Sequence, residues 1–188
     1  MGDKKTKVII CIAVGILLVF LGITFSVVSI LNQEKKEIKK AQEEVREKYQ
    51  AFKTEADKFT DARKEYQKAV EEDLFIESVE EDYEIWMEAI KQYQDTVDRV
   101  IKNANSLDGL CVNKKYPDQN VMANCQAYMI NYETVMNYYV KDIEAFNEFM
   151  EEYYTDYKGD QEKYPTYELD EKYHYIDVND DGKYIGKD

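Results

Sequence analysis

VMANCQAYMINYETVMNYYVKDIEAFNEFMEEYYTDY, residues 121–157, is the stretch that decides how this chain folds. Apolar side chains recur at Met122, Cys125, Met129, Tyr132, Met136, Tyr139, Ile143, Phe146, Met150, Tyr153 and Tyr157, in steps of three and four. That spacing keeps one stripe of an α-helix apolar over about five heptads. No charge interrupts the stripe, and Gly159 is placed to stop the helix. Such a stripe is not stable in water unless something covers it.

Two more stripes precede it. Between Asn32 and Glu72 there is no Gly or Pro, and Ile38, Ala41, Val45, Tyr49, Phe52, Ala56, Phe59, Ala62, Tyr66, Ala69 and Val70 share one helical face. The opening dozen residues of this region, NQEKKEIKKAQE, have few apolar side chains and are expected to stand free. Ser78 with Glu81 three residues on has the form of a capping box. After it Val79, Tyr83, Trp86, Ile90, Tyr93, Val97, Val100 and Ala104 repeat the pattern. Gly109 and Pro117 punctuate a connection, and Asp118 can cap the third helix through its free amides. The expectation is an all-α fold: an antiparallel up-down-up three-helix bundle with helices at about 32–72, 78–104 and 119–158, and a tail over 159–188 beyond its far end. A second copy of the chain could cover the long third stripe instead.

Upstream, residues 8–31 (VIICIAVGILLVFLGITFSVVSIL) carry no charge. At about 1.5 Å per residue the run exceeds the ~30 Å hydrocarbon core, so a single transmembrane helix is expected after a tail of residues 1–7. A cleaved signal peptide, with Val27-Val28-Ser29 as the cleavage-like triplet, is the rival reading. Cys11 reads as an ordinary apolar residue of the span. Three Lys precede the run, whereas Lys35, Lys36, Lys39, Lys40, Arg46 and Lys48 follow it. By the positive-inside rule this places the larger part in the cytoplasm. Against that, a short basic N-terminus resembles an uncleaved signal anchor. Cys111 and Cys125 also form an even pair that suits a disulfide in an oxidising compartment. The favoured expectation is a cytoplasmic N-terminus and an extracellular domain.

Charge narrows the function. The chain holds 25 Lys+Arg and 39 Asp+Glu; residues 1–31 contain three Lys and one Asp, leaving 22 and 38 beyond them, a net of −16. So acidic a surface disfavours nucleic acid and suits cations or basic partners. A single histidine, His174, leaves no convincing triad or zinc site, and the glycines form no phosphate loop. No enzymatic activity and no small-molecule ligand are expected. Met122, Met129, Met136 and Met150 share one position of the seam, as a flexible core or as a groove for a partner helix. With seventeen tyrosines in the chain, Tyr164 to Asp188 is expected to offer a contact surface at the bundle tip, packing of the tail on the bundle being the alternative.

The last stretch is YIDVNDDGKYIGKD, residues 175–188. Asp177, Asn179 and Asp181 fall at positions one, three and five of a twelve-residue loop, with Gly182 at six, Lys183 at seven and Asp188 at twelve. It resembles the calcium loop of dockerin and EF-hand modules over these twelve residues. The resemblance implies weak Ca²⁺ binding by the side chains of Asp177, Asn179, Asp181 and Asp188 and the Lys183 carbonyl, with Kd of the order of 10⁻⁴–10⁻³ M. A dockerin needs a second such loop, which is absent, and the preceding Tyr173–Ile176 looks strand-like. The same residues read equally as a β-hairpin turning at Asp-Gly. The function expected is a binding or structural role for a membrane-anchored extracytoplasmic bundle, with a cytoplasmic-facing coiled-coil scaffold as the alternative.

Overall fold

The computed structural model of the chain describes residues 2–71, 79–157, 163–178 and 184–187, with side chains described for 28–70, 81–152 and 163–178. It is helical, with α1 at Gly2–Glu71, α2 at Val79–Cys111 and α3 at Gln119–Tyr157, followed by β1 at Ile176–Val178 and β2 at Tyr184–Lys187. The chain divides into two compact units, Met1–Glu43 and Glu44–Asp188.

In the first unit the backbone of the uncharged run 8–31 is helical, and the side chains of 8–27 lie outside the described residues. Among the described residues no helix is long and apolar enough to cross a membrane. Residues 28–40 are exposed, the apolar Val28, Ile30 and Leu31 among them, and from Asn32 onward few apolar side chains are present to bury.

The second unit is the bundle. Contacts along it establish the up-down-up course. Lys48 Nζ donates to the Ser106 carbonyl at 3.3 Å, the Phe52 ring meets Tyr128 edge-on at 5.2 Å, and Arg99 Nε reaches Glu55 Oε2 at 3.0 Å. Further along, Phe59 and Tyr66 lie over Tyr93 at 5.4 and 5.1 Å. The core holds Val45, Phe52, Phe59 and Tyr66 of α1, the α2 stripe from Trp86 to Ala104, and the α3 stripe from Cys125 to Met150. Met129, Met136 and Met150 are buried in it, which favours the flexible-core reading of the methionine seam; Met122 is half-buried. Burying a side chain of this size stabilises by roughly 1.5–3 kcal/mol, so the rings and methionines dominate the cohesion.

The structure corrects two expectations here. The second helix does not end near 104. Leu107 and Cys111 continue the buried stripe for two more turns, and the helix runs through Gly109, where a Cβ would meet nothing within 4 Å. A helical glycine costs roughly 1 kcal/mol against alanine, less than burying Leu107 returns. Asn113 ends the helix in the left-handed conformation (φ 57°), which asparagine tolerates, and the Lys114 amide bonds the Cys111 carbonyl at 3.2 Å. The seam of α3 is also wider than one stripe. Val121, Tyr128 and Val135 are buried beside it, because α3 packs against α1, α2 and the tail together. Asp118 caps α3 as expected: its Oδ1 accepts from the amides of Asn120 at 2.9 Å and Val121 at 3.3 Å. The expected Ser78 cap lies outside the described residues.

Candidate functional site

Three polar assemblies stand out in the second unit. The first ties the helices together at mid-height. Arg63 of α1 grips Asp142 of α3 with both prongs, Nε to Oδ2 at 2.7 Å and Nη2 to Oδ1 at 2.9 Å. Tyr93 of α2 donates to Asp142 Oδ2 at 3.0 Å, and Tyr66 donates to the Asp142 carbonyl at 3.0 Å. The guanidinium also lies 3.9 Å over the exposed Tyr138 ring. The Asp142 side chain is only 10 % exposed, so its charge needs these donors. The Asp142 bond and charge hold the Arg63 guanidinium more firmly protonated than usual. Burial, then the neighbouring carboxylate, pushes the Tyr93 hydroxyl far above the ordinary tyrosine range. Asp142 extends the heptad register of Val121, Tyr128 and Val135. An acid on that register was the only trace of this assembly in the sequence, and it passes easily for a solvated charge.

The second assembly is the tail. It does not stay at the far end of the bundle; residues 163–178 turn back along α2 and α3, as the tail-packing alternative has it. Two asparagines of α3 hold it. Asn147 donates to the Tyr167 carbonyl and accepts from the Tyr167 amide, both at 2.8 Å. Asn137 does the same to Ile176, again at 2.8 Å for both bonds. Each amide side chain thus acts as a neighbouring strand would, satisfying one residue's N–H and C=O. Ten residues of helix span about 15 Å, too short for an extended chain from 167 to 176. A turn takes up the slack: the Asp170 carbonyl receives the Tyr173 amide at 2.9 Å, and Asp170 Oδ1 receives the Lys172 amide at 3.0 Å. The rings face α2. Tyr83 bonds the Pro165 carbonyl at 2.7 Å, Tyr167 bonds Gln94, and Tyr173 donates to Asp98 Oδ1 at 2.7 Å. Tyr173 and Ile176 are buried, the Tyr173 ring standing 4.9 Å from Tyr139. Of the tail tyrosines Tyr173 is buried and Tyr164 and Tyr167 are half-buried on the bundle, whereas Tyr175 stays exposed. His174 is half-buried within this segment.

Replacing Asn137 or Asn147 by alanine should strip each tail residue of two partners and cost about 1–3 kcal/mol of local stability. Amide exchange over 163–178 should quicken while helix content stays unchanged.

The third assembly is the turn between α2 and α3. Cys111 and Cys125 are joined by a disulfide, with Cα atoms 5.2 Å apart. Cys111 ends α2 rather than sitting in a loop. Tyr116 donates to the Leu110 carbonyl at 2.7 Å, Tyr128 bonds Asp108, and Arg46 of α1 bonds Asp118.

The calcium-loop residues are placed as follows. Asp177 lies in β1, exposed, paired across the ladder with Gly186; Asn179, Asp181, Lys183 and Asp188 lie outside the described residues. Strands flank this loop on both sides, in the hairpin arrangement, and β1 is docked on α3 through Val178 N to Glu133 Oε1 at 3.1 Å. Among the described residues no group of three or more metal-ligating side chains converges. Comparison with protein-family models, curated proteins and solved structures returns no match.

Buried tyrosines give the bundle an alkaline limit. Burial raises the hydroxyls of Tyr93 and Tyr139 far above their usual range, and raises Tyr132 and Tyr173 to about 12. An unfolded tyrosine titrates near ~10. Each buried one thus binds its proton more tightly when folded, so its stabilisation is whole below pH about 10 and is lost as pH climbs to 12 and beyond. Tyrosinate absorbance from the buried rings should appear only as helix content collapses.

Proposed function

We propose that the chain is a membrane-anchored extracytoplasmic module whose helical bundle serves a binding or structural role, and that it catalyses no reaction. The Cys111–Cys125 bond carries this reading, because such bonds persist in oxidising compartments. The uncharged run 8–31 supplies the anchor in this reading, with the short basic N-terminus held inside. Protease added to intact cells expressing the full chain should digest the part beyond residue 31, and non-reducing mass spectrometry should find the two cysteines linked. Protection of that part, together with free thiols, would overturn the proposal.

That outcome belongs to the second reading, a cytoplasmic-facing scaffold that recruits a protein to the membrane. The six Lys/Arg at positions 35–48, against three before the run, favour it. The hairpin loop's oxygen donors are a separate part of the proposal. Millimolar calcium should shift the amide resonances of residues 177–188, and Asp181→Ala should abolish the shift.

A further inference from the structure

The tail covers one face of α2 and leaves another open. Between α1 and α2 runs a groove enclosing ≈ 930 Å³. Here α1 meets α2 through rings, with Tyr66 stacked on Tyr93, and the alanines beside those rings (Ala62, Ala69 and Ala89) are too small to fill the gap. Ile85 is 42 % exposed at its edge. Glu81, Glu84, Glu88 and Asp95 follow on α2 at helical spacing, and Glu65 stands opposite on α1. The one cation of the lining, Arg99, is bonded to Glu55. The α2 wall spans residues 81–99, about 27 Å of helix.

We propose that this groove docks a cationic amphipathic helix of another protein. An apolar floor of alanines lets a helix backbone approach closely. The acids recur in steps of three, four and seven, so lysines or arginines at matching helical spacing would face them, as charged flanks do along paired helices. An extended segment could not hold its charges at that repeat. A second copy of this chain is a poor occupant, because it carries the same acidic excess of −16 beyond residue 31. The inference names a partner for the binding module and does not depend on which side of the membrane the bundle lies.

The test uses the full chain in non-ionic detergent and a labelled peptide of about 18 residues, built of alanine, leucine and lysine with its lysines along one helical edge. Fluorescence anisotropy should show saturable binding that weakens as salt rises. Glu84→Lys with Glu88→Lys, both on the surface, should weaken it about tenfold or more with helix content retained. Ile85→Asp separates docking from mere charge attraction: it adds a negative charge, yet should weaken binding because it spoils the apolar edge. The proposal fails if Ile85→Asp tightens binding, if a proline-interrupted peptide of equal charge binds as well, or if the groove variants match the wild type. It also fails if sedimentation shows self-association that Ile85→Asp removes, since the groove would then belong to a second copy. Each of these results can arise whatever the protease assay says about topology.

Discussion

Asp142→Ala is expected to lower the stability of the bundle by about 3–5 kcal/mol, the cost of removing one partner of a buried, hydrogen-bonded ion pair. The side chain accepts three bonds, two from Arg63 and one from Tyr93. Its loss leaves a guanidinium only 24 % exposed without its carboxylate. It also leaves the Tyr93 hydroxyl, among the most deeply buried groups of the core, without its acceptor. Thermal unfolding should move down by roughly 10 °C, at about 2–4 °C per kcal/mol for a domain of this size. The companion variant Arg63→Met with Asp142→Leu removes both charges and keeps the volume. It should recover the part of the loss that comes from the stranded charge, the Tyr93 hydroxyl still lacking its acceptor. If Asp142→Ala unfolds at the wild-type temperature, the assembly is not what holds the helices in register.

Reduction of the Cys111–Cys125 bond is the second large effect. It closes a ring of about 15 residues, and releasing it should cost roughly 3 kcal/mol through the freed unfolded chain. Both sulfurs are buried against the α2–α3 turn, so the folded state barely changes. Alanine at both positions is a better replacement than serine, which would bury two hydroxyls without partners. Denaturant titration of the oxidised, reduced and double-alanine forms should give one high midpoint and two similar low ones. Equal midpoints in all three would show that the turn is held without the bond. Arg46 with Asp118 and Tyr116 with Leu110 are the contacts that would then do so.

The groove and the tail have one cause. Three helices leave a furrow along each pair, and the chain lays residues 163–178 into the one between α2 and α3. Asn137 and Asn147 make that possible by serving as strand edges on a helix. Nothing in the described part of the chain fills the furrow between α1 and α2. Its acidic walls accord with an overall charge of −14.

Much of the architecture was legible in the residues themselves. Steps of three and four marked the helical faces, Asp118 marked the start of α3, and the paired cysteines marked a bond. These are local signals: periodicity reports which side of a helix is apolar, and a cap is decided by neighbours in the chain. What lies against each face is a separate matter. That Asp142 meets Arg63 across 79 residues, that α2 runs through Gly109 to bury Leu107, and that Tyr173 folds back onto Tyr139 follow from helix register and from surface left uncovered. Those depend on the summed fit of all the helices at once, so only the tertiary structure decides them.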